Sequence, residues 1–313
     1  MARRNTSHVK KKVSKDPSFS KLKPLGYLPV QRKIPIGNNV GPATQVGLVD
    51  AGRILSLQNH RLYRYGKRYE MKIDADVTVL DGSNTITVWA LADTWAVQKA
   101  FEEAKRVFDD AYSIERDSIS KTQQARWFDF RATLGVTGDL MVPVVSTDPI
   151  TSSLTYLTTG EFVDSVVEDQ AGVTRTFSWN PTTTASAYSI PAEYDLAANT
   201  NWAPTTPTGA GPYDDLKADA SQVEMDALQD NGNLPPYNRN ALPPVWVKIA
   251  TLQLSTTEGA QRISTGFFPA PCGQVVLQLT GGLNTSNITN LVTCEFKAGD
   301  YKGVKAHNME RMS

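Results

Sequence analysis

The sequence has few of the residues and patterns on which enzymes, metal sites and membrane spans depend. Its 313 residues include two cysteines and three histidines, so neither a disulfide framework nor a zinc site made of Cys and His is predicted. No apolar run approaches the roughly 18 residues of a transmembrane helix, and no membrane insertion is expected. The patterns of a P-loop, a dinucleotide-binding glycine turn, a nucleophile elbow and an H-E-x-x-H zinc helix are missing as well. We therefore expect a protein that is not an enzyme and needs no cofactor or metal.

Net charge is also lacking, because 32 basic and 32 acidic side chains balance. This balance hides an asymmetry. Residues 1–33 contain ten basic residues and one acidic residue, a net charge of +9, whereas the other 280 residues contain 22 basic and 31 acidic residues, a net charge of −9. The ten basic residues are Arg3, Arg4, Lys10, Lys11, Lys12, Lys15, Lys21, Lys23, Arg32 and Lys33.

The basic N-terminal segment is predicted to be a flexible arm that covers residues 1–42. It contains basic, Pro, Gly, Ser and Asn residues and few large apolar ones, so it cannot bury enough surface to offset the loss of chain entropy. Such a segment binds phosphates by charge neutralisation and counterion release. Base stacking is expected to be minor, since Phe19 and Tyr27 are its only aromatic residues. The ten basic residues are therefore the predicted nucleic-acid-binding residues.

Three other roles for this segment are considered. Lys10–Lys12, flanked by further basic residues, would also serve as a nuclear localisation signal. A solubilising tail with no partner is the simpler alternative. An anionic membrane surface would attract the same charges, but no apolar anchor accompanies them.

The body, residues 43–313, begins with a clear strand pattern. In "KRYEMKIDADVTVLD" apolar residues from Tyr69 to Val79 alternate with polar ones, which is typical of a half-buried strand. Asp81–Gly82 then indicates a turn, and "TITVWAL" is predicted to return as the second strand of a hairpin.

One helix is predicted over residues 94–112, with Asp93 or Thr94 as its cap. Its apolar residues recur at the spacing of one helix face, which we interpret as a packing face. A second, short helix is predicted over residues 214–229.

The rest of the body is predicted to consist of short strands and polar loops. Residues 181–215 are rich in Thr, Asn, Pro, Ala and Gly and are expected to form a long surface loop. Cys272 and Cys294 lie in apolar runs, as expected for buried core thiols, and a short basic tail ends the chain. About eight to ten strands with one or two inserted helices favour an all-β fold, a single jelly roll in the form of an eight-stranded antiparallel β-sandwich.

Two acidic residues are candidates for a metal site. Asp74 and Asp76 lie on the polar face of one predicted strand. A solvated face is the expected environment, but a calcium site between subunits is the alternative, because hard carboxylate oxygens suit this ion.

A basic arm, a body of short strands with long loops, and no catalytic pattern together resemble the capsid (coat) proteins of small icosahedral viruses. The greatest similarity is to the capsid proteins of eukaryotic circular Rep-encoding single-stranded DNA viruses. Three stretches carry this resemblance: "MARRN…KKK", "TITVWALADTWAVQKAFEEAKRVFDDAY" and "FKAGDYKGVKAHNM".

The resemblance implies a structural protein that self-assembles into a closed shell of about 60 or more copies. Its arm would bind a packaged single-stranded genome, DNA in preference to RNA. The implied locations are the virion and, during assembly, the host nucleus. Host import receptors and a cell-surface receptor would be further partners.

Three alternatives are kept. The coat protein of a small positive-strand RNA virus has the same layout and would assemble in the cytoplasm. A non-viral β-sandwich module would bind carbohydrate or another ligand, with aromatic residues stacking on sugars: Trp179, Tyr188, Tyr194 and Trp202. An enzyme whose carboxylates meet only in the folded chain is the third.

Overall fold

The fold was taken from a computed structural model. It describes residues 29–38, 46–78, 85–120, 127–147, 154–158, 160, 162–169, 171–200, 244–253, 260–280 and 292–309. The strands are β1 Lys33–Asn38, β2 Val46–Asp50, β3 Lys67–Thr78, β4 Thr85–Leu91, β5 Asp139–Thr147, β6 Leu154–Tyr156, β7 Val166–Glu168, β8 Thr174–Ser178, β9 Ala187–Ser189, β10 Trp246–Gln253, β11 Ala260–Ser264, β12 Phe268–Ala270, β13 Gln274–Thr280, β14 Val292–Phe296 and β15 Ala306–Asn308. The α-helices are α1 Ala51–Asn59, α2 Trp95–Ser118 and α3 Ile190–Thr200.

A large mixed sheet forms most of the body. Nine strands follow each other in the order β10-β4-β13-β2-β5-β1-β14-β3-β11. β12 and β15 pair with β3, and β6 pairs with β5. β2 and β5 are parallel, whereas the other pairs in this sheet are antiparallel. A separate sheet has the order β7-β8-β9.

The large sheet curls so that its two halves share one hydrophobic core. Ile34, Met71 and Cys294 come from β1, β3 and β14, and Val88 and Leu277 come from β4 and β13. All five are fully buried in the same cluster. The body is thus mostly β and consistent with a β-sandwich, as the sequence predicts at this level.

β3 confirms the predicted strand, but its predicted hairpin with β4 is wrong. Tyr69, Met71, Ile73 and Ala75 are fully buried, as the alternating pattern requires. However, β3 pairs with β14 and β11, whereas β4 pairs with β10 and β13. The turn signal is local, whereas the partner of a strand also depends on which apolar faces come together in the core.

α2 confirms the predicted helix and extends it by six residues beyond 112, to Ser118. Thr94 is the cap, and its hydroxyl accepts a hydrogen bond from the Val97 amide at 3.5 Å. The apolar stripe forms a second core under the small sheet, with Phe101 of α2 packed close to Phe130.

The predicted end of the arm at residue 42 is corrected. Lys33–Asn38 form β1, which lies between β14 and β5, and Ile34 and Ile36 are fully buried. Its hydrogen-bonding partners come from residues 141–143 and 292–295. A six-residue segment with a proline at Pro35 offers little local strand signal, so the sheet itself provides the stabilisation.

Two further expectations are corrected, and one is confirmed. The predicted loop 181–215 contains β9 and α3, and the predicted basic tail includes β15, which pairs with β3. α1 is a helix that was not predicted from the sequence. The predicted helix 214–229 lies outside the described residues. Cys272 and Cys294 are buried free thiols, as predicted.

Candidate nucleic-acid interface

Two of the ten predicted nucleic-acid-binding residues lie in the part of the chain that the structure describes. Arg32 is half-buried and precedes β1, and its carbonyl accepts a hydrogen bond from the Phe296 amide at 2.9 Å. Lys33 is exposed at the start of β1, opposite Glu295. The others lie outside the described residues: Arg3, Arg4, Lys10, Lys11, Lys12, Lys15, Lys21 and Lys23.

The basic segment joins the body at residues 29–33, which we call the arm root. The Gln31 amide donates to Asn59 Oδ1 at 2.9 Å, and Asn59 Nδ2 donates back to the Gln31 carbonyl at 3.2 Å. Val30 packs on Gly303, where an added Cβ would lie 2.7 Å from Val30 Cγ2. The arm root is therefore held between the C-terminal end of α1 and the turn around Gly303.

Two basic segments lie beside the arm root. Residues 60–68 contain four basic residues and no acidic one, and residues 297–307 contain three basic residues and one acidic residue, a net charge of +6 together. The antiparallel pairing of β15 with β3 brings the two segments together. The predicted nucleic-acid-binding residues do not include these segments, although the run "HRLYRYGKR" is strongly basic. Only the fold joins this run to the chain end and to the arm root.

Three cations from these segments, Arg61, Arg64 and Lys302, form what we call the root patch. The Tyr63 hydroxyl donates to the Lys302 carbonyl at 2.9 Å, and the Lys302 ammonium donates to the carbonyl of Leu62. The Arg64 amide donates to the hydroxyl of Tyr301 at 3.0 Å. The cations are thus carried by two segments that are hydrogen-bonded to each other.

Positive charge exceeds negative charge at the root patch. Burial and the charges of Arg64 and Arg61 lower the pKa of the Lys302 ammonium, although the Asp129 carboxylate opposes this shift. Asp129 pairs with Arg64 at 3.2 Å. Among the described residues, no carboxylate forms an ion pair with Arg61 or Lys302. The root patch can therefore accept an anion.

Two other cations of these segments, Arg68 and Lys305, have acidic partners. Arg68 pairs with Asp93 at 2.8 Å and with Glu70 at 3.8 Å, and Lys305 lies 4.0 Å from Glu70. Arg68 and Lys305 are therefore not included in the root patch.

Asp74 does not lie on a solvated face, which corrects the expectation. Its side chain is 1% exposed and contacts the cations of Lys72 and Arg262 at 3.3 Å and 3.1 Å. The side chain of Asp76 is not among those described. The described residues contain no group of three or more His, Cys, Asp or Glu that would hold a metal ion. Two cations on Asp74 also oppose a calcium site there.

Trp179 does not serve as a sugar-stacking residue. It is fully buried, and its indole nitrogen donates to the Tyr65 hydroxyl at 2.8 Å. Tyr188 and Tyr194 are partly buried and pack against the same core. Trp202 lies outside the described residues. The observed contacts make Trp179 a core residue, contrary to its expected role in the carbohydrate-binding alternative.

A polar cleft of about 330 Å³ lies beside the N-terminus of α1. Asp50 caps α1 and pairs with Arg131, and both side chains are about 95% buried, with 5% and 4% exposed. Arg53 and Asp164 line the same cleft. Burial raises the pKa of Asp164, although the charges of Arg53 and Arg131 oppose this shift. Because two arginines balance two aspartates, this cluster has no excess charge to attract nucleic acid.

The described residues include no helix that is both long and apolar enough to span a membrane. No protein-family model matches the sequence, and neither a curated protein nor a solved structure matches it.

Proposed function

We propose that this chain is a coat subunit that self-assembles into a closed icosahedral shell and packages a single-stranded genome through its basic N-terminal arm. The observation that carries this proposal is the separation of charge. The first 33 residues have a net charge of +9 and the rest of the chain has −9. An acidic body disfavours non-specific binding of nucleic acid to itself, while a basic segment neutralises phosphate.

The sheet order supports a jelly roll as the fold of the shell domain. The consecutive strands β3 and β4 lie in different halves of the sheet, and so do β13 and β14. β14 pairs with β3 and β13 pairs with β4. The fourth of these strands thus lies beside the first and the third beside the second, which are two of the three neighbour contacts of a Greek key, the unit from which a jelly roll is built.

The size of the charge also supports packaging. In the smallest closed shell, about 60 arms at +9 each would bring on the order of 540 positive charges to packaged phosphate. This is a useful fraction of the charge of a genome of a few thousand nucleotides. DNA is the favoured genome, with RNA as an outcome of the test.

Assembly is tested by electron microscopy and light scattering of the purified full-length chain. We expect closed particles of uniform size that protect nucleic acid from added nuclease. Digestion of the extracted nucleic acid with DNase or RNase then identifies its type. A monomer or small oligomer that binds no nucleic acid would contradict the proposal and favour a ligand-binding module.

The role of the arm is tested by deleting residues 2–28. The deletion stops there because Lys33–Asn38 form the central strand β1, whose loss would disrupt the sheet. We expect particles that contain much less nucleic acid per subunit. Unchanged nucleic-acid content in intact particles would exclude packaging by the arm.

A further inference from the structure

The arm root and the root patch are adjacent parts of one surface. Gln31 contacts Asn59, the last residue of α1, and Arg61 follows two residues later. Val30 contacts Gly303, the neighbour of Lys302. A single-stranded nucleic acid that is bound along the arm toward the body would therefore contact the root patch next.

We propose that the root patch, Arg61, Arg64 and Lys302, is a phosphate-binding surface on the body that continues the arm's contact with single-stranded nucleic acid. This inference rests on the proposed function of the arm. In this inference the folded body binds part of the nucleic acid. The residues predicted from the sequence to bind nucleic acid all lie before residue 34.

The root patch is held in place before any ligand binds. The turn that presents Lys302 is closed by two backbone hydrogen bonds between Tyr301 and Val304, at 3.1 Å and 3.0 Å. Lys302 itself has a φ of 50°, a conformation that its turn imposes. The Arg64 guanidinium donates to the Phe128 carbonyl at 2.6 Å. Because the Lys302 turn and the Arg64 guanidinium already have these contacts, binding an anion there costs less conformational entropy than in a disordered segment.

The chemistry of the root patch fits phosphate better than a base. Its groups are ammonium and guanidinium donors, which bind phosphate oxygens by charge-assisted hydrogen bonds. The nearby hydroxyl of Tyr301 accepts from the Arg64 amide, and Tyr63 donates to the Lys302 carbonyl. The tyrosine hydroxyls are thus engaged within the protein. We expect binding that depends strongly on salt and weakly on sequence.

The experiment compares three full-length variants, each of which removes two positive charges. The root-patch variant is Arg61→Gln/Lys302→Gln, which keeps Arg64 because its guanidinium pairs with Asp129. The arm variant is Lys10→Gln/Lys11→Gln. The control is Lys99→Gln/Arg106→Gln on α2, where Lys99 pairs with Glu102 at 2.6 Å and Arg106 with Glu103 at 2.7 Å.

Affinity for a fluorescent oligothymidylate of about 30 nucleotides is measured by anisotropy over a range of salt concentrations. The chain is kept below the concentration at which it assembles. Each phosphate contact to a single strand contributes about 0.7 to the slope of log K against log salt, so the root-patch variant should lose about 1.4 of this slope. The arm variant should lose a similar amount and the control none. Lys302→Arg, which keeps the charge, should retain the full slope.

The outcomes separate the two proposals. If the arm variant loses slope and the root-patch variant does not, the root patch is not a binding surface and the arm proposal remains. If only the root-patch variant loses slope, the arm proposal fails. If the control loses as much slope as the root-patch variant, or if Lys302→Arg loses half or more of the slope that the root-patch variant loses, the effect does not come from the charges of the root patch and this inference is overturned.

Discussion

The buried ion pair between Asp50 and Arg131 allows a quantitative prediction of stability. Asp50→Asn removes the negative charge but keeps an oxygen that accepts the Arg53 amide, a hydrogen bond of 2.9 Å in the native chain. The helix cap therefore remains, because Asn caps helices as well as Asp. What the substitution removes is the charge that faces Arg131, whose side chain is 4% exposed.

Removing one partner of a buried pair costs about 3–5 kcal/mol, because the remaining charge stays buried without compensation. We expect the lower end of this energy range for Asp50→Asn, for two reasons. The charge of Asp164 also acts on Arg131, and the Arg131 guanidinium lies 4.9 Å from the Phe162 ring and 5.3 Å from the Tyr65 ring. We therefore expect Asp50→Asn to lower the free energy of unfolding by about 3 kcal/mol.

Urea unfolding followed by tryptophan fluorescence measures this change, at one protein concentration for all variants because self-association adds to apparent stability. The matched control is Asp109→Asn, which breaks the exposed pair with Lys105 at 2.6 Å and should change stability by a few tenths of a kcal/mol. Asp50→Asn combined with Arg131→Met should recover much of the loss, since no buried charge then lacks a partner. Equal effects of Asp50→Asn and Asp109→Asn would refute the reasoning.

Three further predictions use other contacts. Trp179→Phe removes the donor to the Tyr65 hydroxyl and should lower the free energy of unfolding by about 1–3 kcal/mol in the same urea assay; no loss would mean that this hydrogen bond does not stabilise the second core. Gly303→Ala would place a Cβ against Val30, at a residue whose φ is 89°. The substitution should release the arm root, and we expect trypsin to cleave after Arg32 several-fold faster. An unchanged cleavage rate would contradict the anchoring of the arm root by Val30 and Gly303. Burial raises the pKa of Asp164 above its ordinary value of 3.8. The folded chain therefore keeps the Asp164 carboxyl protonated to higher pH than the unfolded chain does. The contribution of Asp164 to the free energy of unfolding then falls as pH rises from 3.8 through the raised pKa. As pH rises above 3.8, the free energy of unfolding of Asp164→Asn should therefore increase relative to that of wild type in the urea assay, and a difference that stays constant with pH would exclude this linkage.

Strong periodicity in the sequence was a sufficient guide to single elements. The alternation from Tyr69 to Ala75 identified β3 and its buried face, and the apolar stripe after Thr94 identified α2. In both cases the pattern follows from the geometry of one element, since side chains alternate along a strand and recur every turn of a helix. The mostly β character of the body was predictable on the same basis.

Pairing was not predictable from local signals. The Asp81–Gly82 dipeptide predicts a hairpin, yet β3 and β4 pair with strands about 200 residues later in the chain. β1 was assigned to the arm because Lys33–Asn38 has too few apolar residues to indicate a strand by itself. Both errors arise because a strand's partners are decided by how much apolar surface the whole sheet buries.

The candidate site also has features that the sequence predicts and features that depend on the tertiary structure. Charge is a property of composition, so the sequence alone determined that positive charge is concentrated before residue 34 and negative charge after it. The root patch depends on the pairing of β15 with β3, and the charge compensation of Arg131 depends on a residue 81 positions earlier. Only the tertiary structure decided these contacts, because electrostatic interaction depends on distance in space and on burial, neither of which a linear spacing specifies.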